Sequence, residues 1–451
     1  MRTIKMILIA ALIAASPSAA YAADVQSKYL EMPSDIKIMG GGALLSTNIS
    51  LSEPAWVYVQ SDGRYYPGPP DAKSLGNAFI TVDGAKVTND SVIDWRQSSA
   101  KQQHSFNVVG AAYLGAGNHT VNLNASTDGS SVYYGAGSNL SVLVDAASSV
   151  SLSTLAGDSP TLNFDTTNTP EGTALPEPRA RSTLLTAYSD AGGKAVAMAS
   201  GRNYVYGTYG DAMYGIFMKN AEPNIDSMTW SINDLYSGAE TQAPMYSQAL
   251  FEETFPGDPI QLVASESPYY KPVASTTNSV QYRAGAGTTL VVLSGGMSIV
   301  GKGLSSTFPY QSMGWNSRFS YLCAGSSNGS AGCPRTGSEF IIGEGQVCVP
   351  NGHNGVVMFS SKTRVQGDTA DSGGTVSLYL KIDGQQKGAN GIQQLGPKPH
   401  AESTRTISTS YLATGAGVLS AGCHTVQLAT IVSGSFLHLA VNPDMPIVWF
   451  D

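Results

Sequence analysis

Apolar and polar residues alternate along Thr375-Val376-Ser377-Leu378-Tyr379-Leu380-Lys381-Ile382, with Val376, Leu378, Leu380 and Ile382 on one side. Successive side chains of a strand point to opposite faces, so this is a half-buried strand, and Asp383-Gly384 ends it as a turn. His424, in Ala421-Gly422-Cys423-His424-Thr425-Val426-Gln427-Leu428, stands 40 residues past Gly384, and the chain ends on Ile447-Val448-Trp449-Phe450-Asp451. The N-terminal third has the same arrangement. Phe79-Ile80-Thr81-Val82 ends in Asp83-Gly84, and His119, in Ala116-Gly117-Asn118-His119-Thr120-Val121-Asn122-Leu123, follows 35 residues past Gly84. Leu140–Val144 closes that region, and 25 residues separate His119 from Val144 and His424 from Trp449 alike. The pairs Tyr113-Leu114 and Tyr411-Leu412 precede the two histidines. Agreement of turn, spacing and closing strand predicts a duplicated module. A third copy is expected in the middle, with Met228–Asn233 as its first strand, Pro256–Val263 matching the histidine strand and Thr289–Leu293 closing it.

No run beyond the first residues has apolar positions at three- and four-residue spacing. Short strands between Gly, Asn, Asp and Ser turns predict an all-β protein of two to three tandem antiparallel β-sandwich modules, jelly-roll or immunoglobulin-like. The expected division is 1–22 signal peptide, 24–146 first module, 147–182 Ser/Thr/Pro-rich linker, 183–296 second module, 297–340 Gly/Ser-rich connection and 341–451 third module.

Arg2 and Lys5 precede ten apolar residues, Met6–Ala15, and Ala20-Tyr21-Ala22 offers small residues for cleavage. This reads as a secretory signal, so the protein is expected to be exported, to the periplasm, cell surface or medium. No later segment is long and apolar enough to cross a membrane. In an oxidising compartment Cys323, Cys333, Cys348 and Cys423 are expected to pair, with Cys323–Cys333 and Cys348–Cys423 favoured among three pairings. The alternative, zinc, lacks any CxxC pair.

Of 451 residues only 13% are charged, and 25 basic against 33 acidic residues exclude a phosphate-coating nucleic-acid binder. His119 shares a strand face with Val121 and Leu123, and His424 with Val426 and Leu428. Each is therefore expected to point inward at a core rim with one ring nitrogen on a backbone carbonyl. Gly325-Ser326-Ser327-Asn328-Gly329 matches a nucleophile elbow but lacks the strand and helix an elbow needs. No cofactor is expected; Asp368 and Asp371 would offer loop oxygens to calcium, although a solvated turn explains them as well. The 22 tyrosines outnumber 12 Phe and 5 Trp. Tyr65 and Tyr66, with Tyr204, Tyr206, Tyr209 and Tyr214, are the candidate ligand contacts, since exposed tyrosine offers a flat apolar face with a hydroxyl edge. In a strand doublet such as Tyr65-Tyr66 or Tyr133-Tyr134, one ring goes to the core and one to solvent.

The sequence therefore points to a secreted, non-enzymatic surface, matrix or filament/adhesin component that binds a glycan or protein surface through Tyr-rich loops, or self-associates into a filament or lattice. The rival is a secreted carbohydrate-active enzyme, a hydrolase or lyase, built on a β-sandwich.

Overall fold

The computed structural model describes residues 27–450 apart from segments 69–73, 95–102, 130, 146–148, 166–180, 207–210, 219–228, 233–240, 267–278, 296, 302–320, 325–336, 352–355, 368–373, 396–403, 434–436 and 441–446. The signal segment, Tyr209, Cys333 and hence its pairing with Cys323, the Gly325–Gly329 motif, and Asp368 and Asp371 lie outside the described residues.

The first copy comprises β1 (Lys28–Glu31), β2 (Ile36–Ile38), β3 (Gly41–Leu51), β4 (Ala55–Pro67), β5 (Ser74–Val82), β6 (Ala85–Lys86), β7 (Ser91–Asp94), β8 (His104–Leu114), β9 (Gly117–Gly129), β10 (Val132–Tyr134) and β11 (Asn139–Asp145). One sheet runs β1-β11-β4-β8, with β10 and β2 continuing from β4; the other runs β3-β9-β5, with β6 and β7 on β5. Every pairing is antiparallel. Nested pairing of β3 with β9 and β4 with β8 is a jelly roll, which decides between the two expected sandwich types.

The second copy repeats this order with β12 (Ser149–Thr154), β13 (Leu162–Asp165), β14 (Arg181–Ser189), β15 (Gly193–Tyr206), β16 (Asp211–Met218), β17 (Thr229–Ile232), β18 (Thr241–Thr254), β19 (Asp258–Glu266), β20 (Ser279–Ala284) and β21 (Thr289–Ser294). The third does so with β22 (Met297–Gly301), β23 (Tyr321–Ala324), β24 (Glu339–Val349), β25 (Val356–Gly367), β26 (Gly374–Ile382), β27 (Gln385–Leu395), β28 (Thr404–Ala413), β29 (Gly422–Ser433), β30 (Leu437–Ala440) and β31 (Ile447–Phe450). One register irregularity recurs. A bulge after Ala43, Thr183 and Ile341 is followed by the pairs Leu45 with Leu123, Leu185 with Leu262, and Gly343 with Leu428. The extra residue is apolar each time. Leu44 and Ile342 are buried in their cores, and Leu184 packs against its own. Bulges re-aim a side chain, and here the turned residue fills the sandwich.

Four expectations are corrected. The stretch 147–182 is not a bare linker, because β12 pairs with β21 and β13 with β20. Likewise 297–340 contributes β22 and β23, which pair with β31 and β30. In both cases the strands are short and lie at sheet margins, within stretches rich in Ser, Thr, Pro or Gly that read as connections. The strand of the middle copy equivalent to β5 is β16, and Thr229–Ile232 is its partner β17. Finally, Tyr113 and Tyr411 are not equivalent: Tyr113 pairs with Trp56 and Tyr411 with Phe359, and their exposures are 62% and 7%. Val144 and Trp449 do match, facing Val57 and Val357 across the sheet.

Each copy has its own apolar core, and a fourth cluster belongs to all three. Tyr58, Val109, Ala111, Leu143, Val196, Met198, Tyr246, Val291, Leu293, Met358 and Leu412 pack together between the β1-type sheets. Contacts between copies run in a cycle. β7 packs on β18, β17 on β28, and β27 on β4 and β8. The hydrogen bonds follow the same cycle. Ser200 on β15 accepts from the Val109 amide on β8, Ser360 on β25 meets Tyr246 and Gln248 on β18, and Asp62 on β4 meets Ser408 and Ser410 on β28. The copies thus surround a pseudo-threefold axis, with every β4-type strand docked on the preceding copy's β8-type strand.

Side chains line this axis in tiers, because alternate residues of each β4-type strand face it. The first tier is apolar, with Tyr58, Val196 and Met358. The second holds Gln60, Met198 and Ser360. The third is polar, with Asp62 and Ser200, and Lys362 holds the same register position on β25. Asp62 is fully buried and accepts from Asn107 Nδ2 and Ser408 Oγ at 2.6 Å, from Gln60 Nε2 at 3.0 Å and from the Ser410 hydroxyl. Burial raises its carboxyl pKa and these four donors oppose the rise. The first and last copies are therefore joined through one carboxylate whose donors come from both.

Replacing Asp62 by Ala leaves four buried donors without their acceptor. At about 1–3 kcal/mol for each uncompensated group, Asp62→Ala is expected to lower stability by at least about 3 kcal/mol. Urea unfolding measures this, and a loss below about 1 kcal/mol would show that the ring does not depend on this contact.

Candidate functional site

The pseudo-threefold gives the molecule two unlike ends. At one, the strands turn back sharply. β5 and β26 end in Asp83-Gly84 and Asp383-Gly384, where both aspartates have φ 50° and the glycines 81° and 76°. Positive φ at both central residues is a type I′ turn, which suits Asp-Gly and the twist of the flanking strands. Asp83 also receives His119 Nδ1 at 2.7 Å and the Thr120 amide at 2.8 Å, while His119 Nε2 meets the Gly115 carbonyl at 2.8 Å. Asp383, His424, Thr425 and Ser420 repeat this at 2.6, 2.9 and 2.9 Å. The expected bond to a backbone carbonyl is present in both copies. The carboxylate partner was not anticipated, although the Asp-Gly spacing held the signal. With both nitrogens engaged, these histidines staple turn to strand. In the middle copy Asp258 occupies the position of His119, and its carboxylate accepts the Phe255 amide instead.

The hydrogen bond to Asp83 raises the His119 pKa and that to Asp383 raises the His424 pKa, while both aspartates are lowered by the same bonds. Stability from a raised histidine is complete below its unfolded pKa, about 6.5, and is lost as pH rises through the folded value. Stability from a lowered aspartate is complete above about 3.9 and is lost as pH falls through its folded value. The staples should thus contribute most between about pH 4 and 6.5. Proton NMR titration should place both imidazoles above the ordinary histidine value, and Asp83→Asn should return His119 alone toward it; an unshifted His119 in the wild type would count against the staple.

Beside this end, Cys348 and Cys423 face each other across β24 and β29 and form a disulfide, as expected. The same register in the first copy holds Ser50 and Asn118. The jelly roll therefore forms there without the bond, and the disulfide adds stability by closing a long loop. The double change Cys348→Ser and Cys423→Ser should keep the β-sheet circular dichroism spectrum and lose up to about 4.5 kcal/mol, the loop-entropy value for 76 residues.

The opposite end is built differently. The strand ends that bound 68–73, 95–103, 207–210, 233–240, 267–278, 368–373, 396–403 and 434–436 all lie there. One step beyond the polar tier, Arg64 on β4 and Arg202 on β15 occupy equivalent positions, and Arg364 holds that register position on β25. Arg64 lies across Gly135 and Arg202 across Gly285, where any Cβ would come within 2.0 Å of Arg64 Nε and 2.4 Å of Arg202 Cγ. Each glycine opens a Gly-Ala-Gly turn whose first amide bonds the arginine's own carbonyl, at 2.9 and 2.8 Å. Arg64 makes a long contact to Asp35 at 3.5 Å, and Tyr66 donates to the other oxygen of Asp35. Burial, with that bond, pushes the Tyr66 hydroxyl pKa up to about 12.

The candidate tyrosines divide. Tyr65 is completely buried, edge-on to Phe106 and stacked with Tyr134, so it is a core residue and not a ligand contact. Its doublet partner Tyr66 faces outward, as the strand period predicts. Its ring lies parallel to Tyr133 at 5.2 Å, and Lys37 covers Tyr133 from 6.0 Å. Tyr204, equivalent to Tyr66, is also buried, beneath the guanidinium groups of Arg202 at 5.2 Å and Arg283 at 4.4 Å. Its contacts are cation–π, with Arg283 in turn paired to Asp158. Tyr206 lies at the end of β15 and Tyr214 on β16, in different sheets of the second copy. The side chains of 205–214 lie outside the described residues. What the site missed by sequence reading contains is the arginine set, whose only sequence signal is the arginine in Ser61-Asp62-Gly63-Arg64, Ala199-Ser200-Gly201-Arg202 and Ser361-Lys362-Thr363-Arg364.

Among the described residues, no three His, Cys, Asp or Glu side chains gather as a metal site, and no helix is long and apolar enough to cross a membrane.

No family model and no curated protein matches this chain. Among solved structures it is similar to the Eiger TNF of S. frugiperda, at 11% identity over 33% of this chain and 92% of that one, with a TM-score of 0.18. It is similar to a structure of the Gx strain of infectious bursal disease virus, at 8% identity over 92% and 81%, TM-score 0.24. A tandem CBM22 domain from Paenibacillus barcinonensis aligns at 10% identity over 67% and 98%, TM-score 0.17. At these values the likenesses assign no residue and no activity to this chain.

Proposed function

We propose that the protein is an exported, non-enzymatic binding unit in which three jelly rolls on one chain present their long connections together at one end of a rigid body. One observation carries this reading: the cyclic packing around the buried axis brings the strand ends that bound eight connecting segments of three copies to the same side. Rigid scaffolds with variable connections at one end are the usual platform for recognition. The Cys348–Cys423 disulfide supports residence in an oxidising compartment. The described polar clusters support binding over catalysis, since Asp62 is enclosed by its four donors and both His-Asp pairs are closed onto the backbone. The partner class is a glycan or a protein surface.

Incubation of the full chain with a panel of immobilised and soluble glycans, followed by analysis of the soluble fraction, tests the proposal. Binding without shortened products is the expected result. Release of oligosaccharides or unsaturated sugars would replace it with a carbohydrate-active enzyme.

A further inference from the structure

The third copy departs from the other two at the end where the strands turn back. Three residues, 52–54, join β3 to β4 and three, 190–192, join β14 to β15, but six, 350–355, join β24 to β25. Two residues, 115–116, join β8 to β9 and three, 255–257, join β18 to β19, but eight, 414–421, join β28 to β29. The Cys348–Cys423 bond ties the bases of these two enlarged connections to each other. Cys348 is the next-to-last residue of β24, just before the first, and Cys423 is the second residue of β29, just after the second. In the first copy a short turn holds the same strand ends, and Ser50 and Asn118 stand where the cysteines are.

The bond is also placed where a reductant can reach it. β24 is the margin strand of its sheet, with β29 as its ladder partner, and both cysteines are exposed. Val347 and Val349, on either side of Cys348, are buried in the third core with Leu419 of the second connection. An exposed disulfide is open to attack by a thiolate in the native state, whereas an enclosed one is reduced only as the fold opens.

We propose that Cys348–Cys423 is a redox latch, which a dithiol reductant opens in the folded protein to loosen the strand ends at 347–349 and 422–424. One thiolate of the reductant attacks a cysteine sulfur, the S–S bond breaks and the other cysteine leaves as a thiolate. The second thiol of the reductant then displaces the mixed disulfide. Two electrons and two protons pass to the cysteines, and the reductant ends as its own disulfide. The contacts that hold the ring, at Asp62 and around Tyr58, involve neither cysteine, so the three-copy body stays closed. The latch does not depend on what the loop end binds.

Incubation of the full chain with dithiothreitol at increasing urea, followed by alkylation and mass spectrometry of the Cys348 and Cys423 peptides, tests the first half. Reduction without urea, at a rate that does not change below the unfolding transition, is the expected result. Hydrogen exchange on the same samples tests the second half. Amides of 347–349 and 422–424 should exchange about tenfold faster or more after reduction, while those of 49–51 and 117–119 in the first copy keep their rates. Cys348→Ser/Cys423→Ser should show the reduced pattern without reductant and no further change with it, which separates this bond from Cys323 and Cys333. If that variant does not fold, the wild-type readings decide alone. Reduction that waits for urea, reduction with unchanged exchange at 347–349 and 422–424, or faster exchange throughout all three copies would each overturn the latch.

Discussion

Strands buried on both faces impose the constraint on which this structure depends. β21 is buried at every residue from Thr289 to Ser294. Leu290 and Val292 fill the sandwich of the second copy, whereas Val291 and Leu293 meet the other two copies at the axis. A jelly roll with one such sheet cannot leave that face in water. Fully burying a large apolar side chain is worth about 1.5–3 kcal/mol, and Tyr58, Met198, Tyr246, Leu293, Met358 and Leu412 all lie between copies. The three sandwiches therefore form one body rather than beads on a string.

The polar tier sets which copy meets which. Asp62 finds two serine hydroxyls on β28, Ser408 and Ser410, where the equivalent strands carry Asn107 and Val109, or the bulkier Tyr246 and Gln248. Ser360 in turn is matched by Tyr246 and Gln248, and Ser200 by the Val109 amide and Asn89. The copies have diverged until each contact is specific, which fixes their order around the axis. The unlike ends follow: turns stapled by His119 and His424 at one, Arg64 and Arg202 at the other.

Much of the single-copy fold was legible in the chain. Alternation at Val376–Ile382, the Asp-Gly turns and the 25-residue interval from histidine to closing strand reported the same β-sandwich module twice. Local patterns report local geometry well, since period and turn chemistry depend on a few neighbours. The tyrosines were misread for the opposite reason. Tyr66 and Tyr204 both close a Gly-Arg-x-Tyr sequence, yet one faces outward against Tyr133 and the other is buried beneath two guanidinium groups. Burial on the second face of a sheet depends on what docks there, and no local pattern records it.

The sequence alone determined that the chain is all-β, that modules repeat and where the Asp-Gly turns fall, and it favoured Cys348–Cys423 among three pairings. Those properties follow from side-chain period, backbone freedom and residue chemistry. Only the tertiary structure decided the jelly-roll order, the closed ring of three copies and the gathering of Arg64 and Arg202 at one end. Each of these requires pairing between residues far apart in the chain, and the apolar run Leu290-Val291-Val292-Leu293 looks the same whether its second face meets solvent or a neighbouring sandwich.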